Sequence, residues 1–346
     1  MRRGRDRSIE IKTPAQLAIM REAGLVTAAA LRAAAAAVEP GVSTAELDAI
    51  AERVIRDAGA VPSFLGYHGY PGTICTSVND QVVHGIPSRD ARLKAGDLIS
   101  IDCGAIVAGW HGDAALTVSV GPAGPDQAAL LAACEDALWH GLARALPGGR
   151  LTDISAAVEA AARAAGPFGI IEDYTGHGIG RQMHMDPPVP NYGRPGRGPV
   201  LTEGMALAVE PMLVLGQPDA HVLADDWTVV TDDGGWAAHF EHTVAITADG
   251  PWVLTAEDGG ASGLARVRAH APGQPNGAVV GRVRDGARGS RETPASPGVT
   301  APPGLKSDQR GTSAGATREG GALKRPSGSR KTQPVPAGLQ GSAEGS

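Results

Sequence analysis

Apolar residues near the start of the chain recur at the three- and four-residue spacing of α-helices. Leu17, Met20 and later apolar positions follow a Thr-Pro pair at Thr13, which combines a capping hydroxyl with proline at the first helical position. A second periodic stretch follows Ser43, with Glu46 three residues on, the pattern of a capping box. The two stretches predict helices over residues 14–39 and 43–59.

Shorter stretches further along the chain alternate apolar and polar residues or are rich in β-branched residues, as strands are. The order is a helix pair followed by strands, and then a second helix pair followed by strands. We therefore predict an α+β fold with a mostly antiparallel sheet in two similar halves. The predicted strands are residues 73–78, 81–84, 98–107, 114–120, 206–214, 228–230 and 243–247, and the further helices are residues 127–146 and 152–165.

The composition changes after residue 255. Residues 256–346 contain no aromatic residue and no isoleucine, but 18 glycines and 9 prolines. Such a segment buries too little apolar surface to offset the entropy of ordering it. The net charge of −6 divides at the same place, with 13 basic and 7 acidic residues after it and 18 and 30 before it. We predict a folded domain over residues 1–255 and a disordered, solvated tail over residues 256–346.

The sequence lacks the signals of several protein classes. It has no run of about 18 apolar residues, and no apolar segment follows its basic start. Cys75, Cys103 and Cys134 are widely spaced, which fits neither a disulfide framework nor a CxxC zinc site. Glycine-rich nucleotide-binding motifs and the GxSxG motif are absent. We expect a cytoplasmic monomer with no membrane partner and no specific nucleic-acid partner.

Two aspartates flank a predicted hairpin. Asp102 lies in the alternating strand 98–107, and Asp113 follows in a Trp-His-Gly-Asp-Ala segment. A turn about Val107 and Ala108 would place the two carboxylates directly opposite each other, with Cβ atoms about 5 Å apart. Like charges at that separation repel unless a cation lies between them. The alternative for this pair alone is two separately solvated aspartates beside an exposed hairpin.

Two histidines, His177 and His184, lie in a segment that is dense in glycine. The glycines at positions 176, 178 and 180 make a helix improbable, so we predict a loop in which the backbone can approach a ligand closely. The HExxH pattern of a helical zinc pair is not present. Histidines that merely pack in the core or lie on the surface are the alternative.

Two glutamates complete a set of candidate metal ligands. Glu210 ends an apolar strand beside a proline, and Glu241 opens another strand. Each alone fits an edge-strand charge, but with Asp102, Asp113 and His177 they form four carboxylates and one imidazole. This hard, oxygen-rich set suits a pair of divalent ions such as Mn, Fe(II) or Co better than a structural zinc. Two ions about 3.5–4 Å apart can bridge a water, lower its pKa and support hydrolysis.

Together with the Tyr-His-Gly-Tyr-Pro motif at Tyr67, the Val-His-Gly-Ile-Pro motif at Val83 and Trp227, these segments resemble the bacterial type 1 methionine aminopeptidases over about residues 8–255. The resemblance implies the pita-bread fold, a pseudo-twofold antiparallel sheet backed by helices. It also implies a metallo-exopeptidase that hydrolytically removes the N-terminal methionine from nascent proteins with a small second residue.

The resemblance implies a role for each metal ligand. Asp113 and Glu241 would bridge two metal ions. Asp102 would hold one ion, and His177 and Glu210 would hold the other. The expected cofactors are two divalent ions (Co, Mn, Fe(II) or Zn), with a bridging water or hydroxide that attacks the carbonyl of the N-terminal methionine. Glu210 would act as the base and proton shuttle.

Substrate contacts are implied in the same way. His184 would stabilise the developing oxyanion, and His84 would contact the scissile amide and assist the leaving amine. Gln182 and Met183 replace the small and aromatic residues common at these positions in the family, so we expect them to alter fine specificity. The pocket for the methionine side chain would be formed by Tyr67, Tyr70, Cys75, Met183 and Trp227.

Two alternative functions remain open at this point. An X-Pro aminopeptidase or dipeptidase of the same fold would share the ligands, but such relatives usually carry a domain before the catalytic one, and only 83 residues precede His84. A noncatalytic binding protein that reuses the fold would typically have lost ligands. The expected partners are nascent polypeptide N-termini, with the ribosome surface as a further candidate. His68 and His239 adjoin the predicted site without an assigned role, and surface or structural positions are expected for His111, His140, His221 and His270.

Overall fold

The computed structural model of the chain describes residues 9–269. Residues 270–346, which make up most of the predicted tail and include His270, lie outside the described residues. The helices are α1 (Pro14–Ala36), α2 (Thr44–Asp57), α3 (Pro125–Leu142), α4 (Leu151–Ala165) and α5 (Ala261–Ala269). The strands are β1 (Val61–Pro62), β2 (Ile74–Val78), β3 (Gln81–Val83), β4 (Leu98–Val107), β5 (Trp110–Ser119), β6 (Gly169–Ile170), β7 (Gly176–Gly178), β8 (Met185–Val189), β9 (Ala206–Val209), β10 (Met212–Val214), β11 (Ala220–Val222), β12 (Val229–Thr231), β13 (Ala237–His239), β14 (Glu241–Thr247) and β15 (Gly250–Val253).

The first two helices begin where the sequence predicts caps. The Thr13 hydroxyl accepts a hydrogen bond from the backbone N–H of Gln16, whose side chain in turn accepts one from the Thr13 N–H. Ser43 and Glu46 form the same reciprocal pair at the start of α2. Both predicted helix starts are therefore confirmed, since each cap satisfies backbone donors that have no partner within the helix.

The sheet is antiparallel throughout and brings strands from both halves of the chain together. Its path runs β1-β4-β5-β14-β9-β7-β8, with β2 added beside β4 and β15 beside β14. Two three-stranded sheets, β13-β10-β6 and β11-β12-β3, complete the fold. The α+β prediction is confirmed, and β5 from the first half lies next to β14 from the second half near the middle of the large sheet.

The two helix pairs pack against strands of the large sheet. The core around α1 and α2 includes Leu31, Leu47, Ile55, Ile99 and Ile101. The core around α3 and α4 includes Leu138, Ile154, Val158, Leu207 and Val244. The helices also reach across the halves, since Leu17 and Met20 of α1 share a smaller core with Ala206 and Ala245 of the second half. Over residues 9–269, no helix combines the length and apolar character needed to cross a membrane.

The domain boundary expected after residue 255 lies too early. The chain continues into helix α5, in which Leu264 and Val267 are buried in the same core as Trp139 of α3. Arg266 of α5 also pairs with Glu135 of α3 at 3.5 Å. The average composition of residues 256–346 concealed this short helix, because two apolar side chains one turn apart suffice to dock it.

Replacing Leu264 by alanine should destabilise the folded chain. The side chain is only 5% exposed, and truncation of a buried leucine costs about 2–5 kcal/mol. We expect denaturant unfolding of the full chain to show a loss in that range. Arg268 lies on the exposed face of the same helix, and Arg268→Ala should change stability by less than about 0.5 kcal/mol. Equal stability of the two variants would show that α5 does not dock on α3.

Candidate active site

The register of the β4–β5 hairpin differs from the predicted one by two residues. The turn is centred on Ala108 and Gly109, both with positive φ, as the two-residue turns that match strand twist require. Asp102 therefore pairs with Ala115, and Asp113 pairs with Gly104. Because side chains alternate with a period of two, this shift keeps both carboxylates on one face. The prediction that the aspartates lie directly opposite each other is wrong; they are diagonal neighbours.

Neighbouring strands bring the other ligands to the same face. Glu241 of β14 also pairs with Ala115, on the side opposite Asp102. His177 of β7 pairs with Ala208, which pairs in turn with Thr243. Thr243 reaches β5 through its hydroxyl, which donates to the carbonyl of Asp113 at 2.8 Å and accepts from its N–H at 3.0 Å.

The result is a buried cluster with ligand atoms at metal-binding distances. One ligand atom each from Asp113, His177 and Glu241 lies within 4.8 Å of the others. These three side chains come from β5, β7 and β14, which are far apart in sequence. Their convergence is a property of the sheet order, since β14 separates β5 from β9 and β7 in the large sheet.

Glu210 lies at a break between two strands. Its oxygen Oε1 is 3.5 Å from Nε2 of His177, and Oε2 is 3.7 Å from Nε2 of His239. Asn191 donates from Nδ2 to the backbone carbonyl of Glu210 at 3.0 Å and holds this break in place. The single strand predicted over residues 206–214 is therefore two strands in different sheets, since Pro211 cannot donate a ladder hydrogen bond.

Glycine permits the backbone around His177 to lie close to its neighbours. A Cβ atom at Gly176 would clash with the carbonyl oxygen of Ala208, and one at Gly178 would clash with that of Asp186. The predicted loop is thus partly wrong, because His177 lies on the short strand β7. His184 follows in the connection to β8, as predicted.

Burial and mutual repulsion dominate the electrostatics of the carboxylates. Burial raises the pKa of Asp102 to about 7. Burial, followed by repulsion from the neighbouring carboxylates, raises the pKa of Asp113, Glu210 and Glu241 well above the usual range. Four carboxyl groups so close together favour a bound proton or a bound cation.

His177 is held neutral, with a lone pair facing the carboxylates. Burial lowers its pKa to about 4. Its Nδ1 lies 2.9 Å from the carbonyl oxygen of Gly178, which can only accept, so Nδ1 carries the proton. Nε2 therefore presents a lone pair toward Asp113 and Glu210, at 3.8 and 3.5 Å. A carbonyl that fixes the tautomer in this way is the usual partner of a metal-ligating imidazole.

The donor set fits a divalent cation. Within the described part of the chain, three carboxylate oxygens of the predicted ligands are buried without any hydrogen-bond partner: Asp102 Oδ1, Asp113 Oδ1 and Glu241 Oε1. Buried polar atoms without a partner are costly, and a cation bound by Asp113 and Glu241 would supply the partner that their oxygens lack. Carboxylate oxygens with one imidazole suit Mn, Fe(II) or Co.

His184 and Tyr67 border this cluster. The His184 ring lies 4.4 Å from that of His177, centroid to centroid, and its Nδ1 is 2.9 Å from the Tyr67 hydroxyl. Partial desolvation, followed by repulsion from neighbouring imidazoles, lowers the pKa of His184, so the ring is neutral. When the phenol donates to Nδ1, the ring N–H is on Nε2 and is available as a donor.

A cluster of apolar side chains, the pocket cluster, lies beside the metal-ligand cluster and contains every residue predicted to contact the methionine side chain. Tyr70 packs edge-on against Trp227, with ring centroids 5.0 Å apart. His84 lies 6.4 Å from the Trp227 ring, and burial lowers its pKa to about 4. Contacts across the fold added two residues that sequence patterns did not single out, Phe64 and Ile86. The pocket cluster comprises Phe64, Tyr67, Tyr70, Cys75, Ile86, Met183 and Trp227.

Other site residues had no signal in the sequence. Thr243, Asn191 and Thr117 are ordinary polar residues of strands and loops, and only strand pairing reveals their contacts. His111 is buried and bonded to Ser63, with 3.0 Å between its Nδ1 and the serine oxygen, which matches the expected structural position.

A buried cluster of carboxylates and histidine on a sheet of this kind is typical of a metal-dependent hydrolase. Residues 18–248 match metallopeptidase family M24, and the chain belongs to this family.

Within this family, the chain is similar to proteins named methionine aminopeptidase, in sequence and in structure. The chain is 56% identical to methionine aminopeptidase 1 of Mycobacterium tuberculosis over 258 residues, which cover 73% of this chain and 97% of the relative. It is 50% identical to methionine aminopeptidase 1 of Bacillus subtilis, and the aligned residues cover 70% of this chain and 98% of the relative. The crystal structure of the Thermotoga maritima methionine aminopeptidase superposes with a TM-score of 0.71 at 41% identity. The superposition covers 72% of this chain and 100% of that structure.

A more distant likeness defines the fold alone. The prolidase of Pyrococcus furiosus superposes with a TM-score of 0.56 at 24% identity, covering 71% of this chain and 65% of the prolidase. The pita-bread fold predicted from the sequence is thereby confirmed, since methionine aminopeptidases and prolidases share it with this chain.

Proposed function

We propose that this chain is a metal-dependent methionine aminopeptidase, which removes the N-terminal methionine from polypeptides whose second residue is small. The observation that carries the proposal is the buried Asp113, His177 and Glu241 cluster beside the apolar side chains of the pocket cluster. The identity of 41–56% to proteins named methionine aminopeptidase supports it. The pocket gives a flexible thioether side chain both aromatic and sulfur contacts.

The proposed cofactors are two divalent ions. Asp113 and Glu241 would bridge them, Asp102 would hold one, and His177 with Glu210 would hold the other. When bound, such ions lower the pKa of water and polarise the scissile carbonyl. Several metals suit this donor set, so the proposal extends to Co, Mn, Fe(II) or Zn.

The side chains around the cluster supply binding and proton transfer. Glu210 accepts the proton of the attacking water and passes it to the leaving amine. His184 donates from Nε2 toward the oxygen on which negative charge develops. His84 contacts the scissile amide, and neutral imidazoles at both positions carry the N–H that these roles require.

Nascent polypeptide N-termini are the proposed substrates. A monomer at the ribosome surface would meet them as they emerge. The finer specificity would depend on Met183, whose side chain is 1% exposed in the pocket wall, and on the neighbouring Gln182, which is exposed.

An assay on short peptides tests the proposed function. Metal-stripped protein should be inactive, and added Mn(II) should restore cleavage of Met-Ala-Ser. The apolar pocket predicts at least about a 100-fold preference in kcat/KM for Met-Ala-Ser over Gly-Ala-Ser, since the glycine peptide leaves the pocket empty. The dipeptide Ala-Pro serves as the comparison for an X-Pro peptidase. Faster cleavage of Ala-Pro would contradict the proposal, and inactivity on every peptide with every metal would favour a binding protein.

A further inference from the structure

One buried imidazole beside the metal ligands has no hydrogen-bond partner. His239 of β13 is 2% exposed, and its Nε2 is bonded to no group among residues 9–269. The nearest charged atom is Oε2 of Glu210, at 3.7 Å. A buried polar atom without a partner costs about 1–3 kcal/mol, and in the tautomer that carries its proton on Nε2 this ring needs an acceptor.

The backbone of His239 is fixed on both sides by one threonine. The Thr117 hydroxyl accepts from the His239 N–H and donates to the His239 carbonyl, each at 2.8 Å. Its single proton is thereby committed, so the Ser100 hydroxyl, 2.8 Å away, donates to it. Thr117 lies on β5, the strand that carries Asp113. The backbone of His239 is thus held in position relative to the strand that carries Asp113.

The two oxygens of Glu210 face different nitrogens. Oε1 faces Nε2 of His177, which carries a lone pair and cannot donate. Oε2 faces Nε2 of His239, and no other group competes for that nitrogen. A small rotation of the Glu210 carboxyl would shorten 3.7 Å to a hydrogen bond.

We propose that His239 is a positioning residue, which donates from Nε2 to Oε2 of Glu210 and so reserves Oε1 for a metal ion. The inference rests on the proposed function, because Glu210 acts there as ligand and base. Fixing one oxygen limits the carboxylate to one orientation, in which it can both bind and accept a proton. Outer-sphere partners of this kind are worth roughly 10- to 100-fold in metal affinity or activity.

Three substitutions at this position separate the donor from the shape of the side chain. The amide N–H of glutamine lies about as far from the backbone as Nε2 of histidine. The asparagine side chain carries the same amide but is too short to reach Glu210. Leucine fills the space and has no donor. We expect His239→Gln to keep kcat within about threefold of the parent. His239→Asn and His239→Leu should lose about 10- to 100-fold in kcat with little change in KM.

Calorimetric titration of metal-stripped protein with Mn(II) gives a readout independent of turnover. Mn(II) affinity should follow the same order, with glutamine near the parent and leucine and asparagine about tenfold or more weaker. His140→Leu, at a half-buried histidine of α3 that pairs with Asp136, is the matched control and should leave Mn(II) binding unchanged. Thermal melts identify any variant that fails to fold.

Two outcomes would overturn the inference. The first is that His239→Leu has the kcat and the Mn(II) affinity of the parent. The second is that His239→Gln loses as much kcat and Mn(II) affinity as His239→Leu. Failure of the proposed function is distinguishable, since the parent itself would then not cleave Met-Ala-Ser, whereas the Mn(II) titrations would still rank the variants.

Discussion

Replacement of Asp113 by alanine is expected to abolish both tight Mn(II) binding and cleavage of Met-Ala-Ser. The carboxylate lies in the cluster with His177 and Glu241, and its Oδ1 is buried without a partner. Loss of a residue proposed to bind metal directly should exceed the roughly 10- to 100-fold effect of losing an outer-shell partner. The measurements are kcat/KM with restored metal and calorimetric titration of the metal-free protein.

The same substitution should not weaken the fold. Removing one of four mutually repelling carboxylates relieves repulsion in the metal-free protein, so its melting temperature at pH 8.5 should stay equal or rise. Asp57→Ala, at the exposed end of α2, is the matched control and should leave metal binding and activity unchanged. Normal activity of Asp113→Ala would exclude the metal mechanism, whereas a collapsed melting temperature would assign Asp113 a structural role.

The metal-free protein should lose stability as the pH rises from 7 to 8.5. The folded chain raises the pKa of Asp113, Glu210 and Glu241 well above the value of an unfolded chain. Folding therefore takes up protons, and the stability held by these protonated groups falls as pH rises through their folded pKa values. Each group still protonated contributes about 1.4 kcal/mol per pH unit, or several degrees of melting temperature over this window.

Between about pH 7 and 8.5, the change of stability with pH reports on the carboxylates and not on the histidines. Burial lowers the pKa of His177, His184 and His239 to about 4, 2 and 3, so these groups oppose folding only below the unfolded value near 6.5. Above pH 7 they are neutral in both states. Saturating Mn(II) should flatten the dependence, because metal replaces the protons. The slope should also be smaller in Glu241→Gln, and an unchanged slope in that variant would contradict the assignment.

Local chemistry carried most of the fold prediction. The capping pairs at Thr13 and Ser43 are interactions within one turn, so the sequence states them directly. Helix α5 escaped prediction because two buried side chains, Leu264 and Val267, are a weak local signal inside a segment rich in glycine and proline. Its stability comes from Trp139, which lies more than a hundred residues earlier in the chain.

The geometry of the site was harder to predict from local sequence patterns than the fold was. Spacing placed Asp102 and Asp113 on one face, but only the positive φ at Ala108 and Gly109 decided which residues pair. The break at Glu210 likewise depends on which sheet each half joins. The role of Thr243, which bonds to the backbone of Asp113, is visible only in the contacts between strands.

The sequence by itself determined the helix starts, the antiparallel α+β class, the oxygen-rich ligand types and the resemblance to methionine aminopeptidases, because each is encoded in residue identity and short spacing. Tertiary structure alone decided the strand register, the burial that raises the pKa of the carboxylates and the placement of His239 against Glu210. These depend on strand order and on desolvation, which arise only when distant segments pack together.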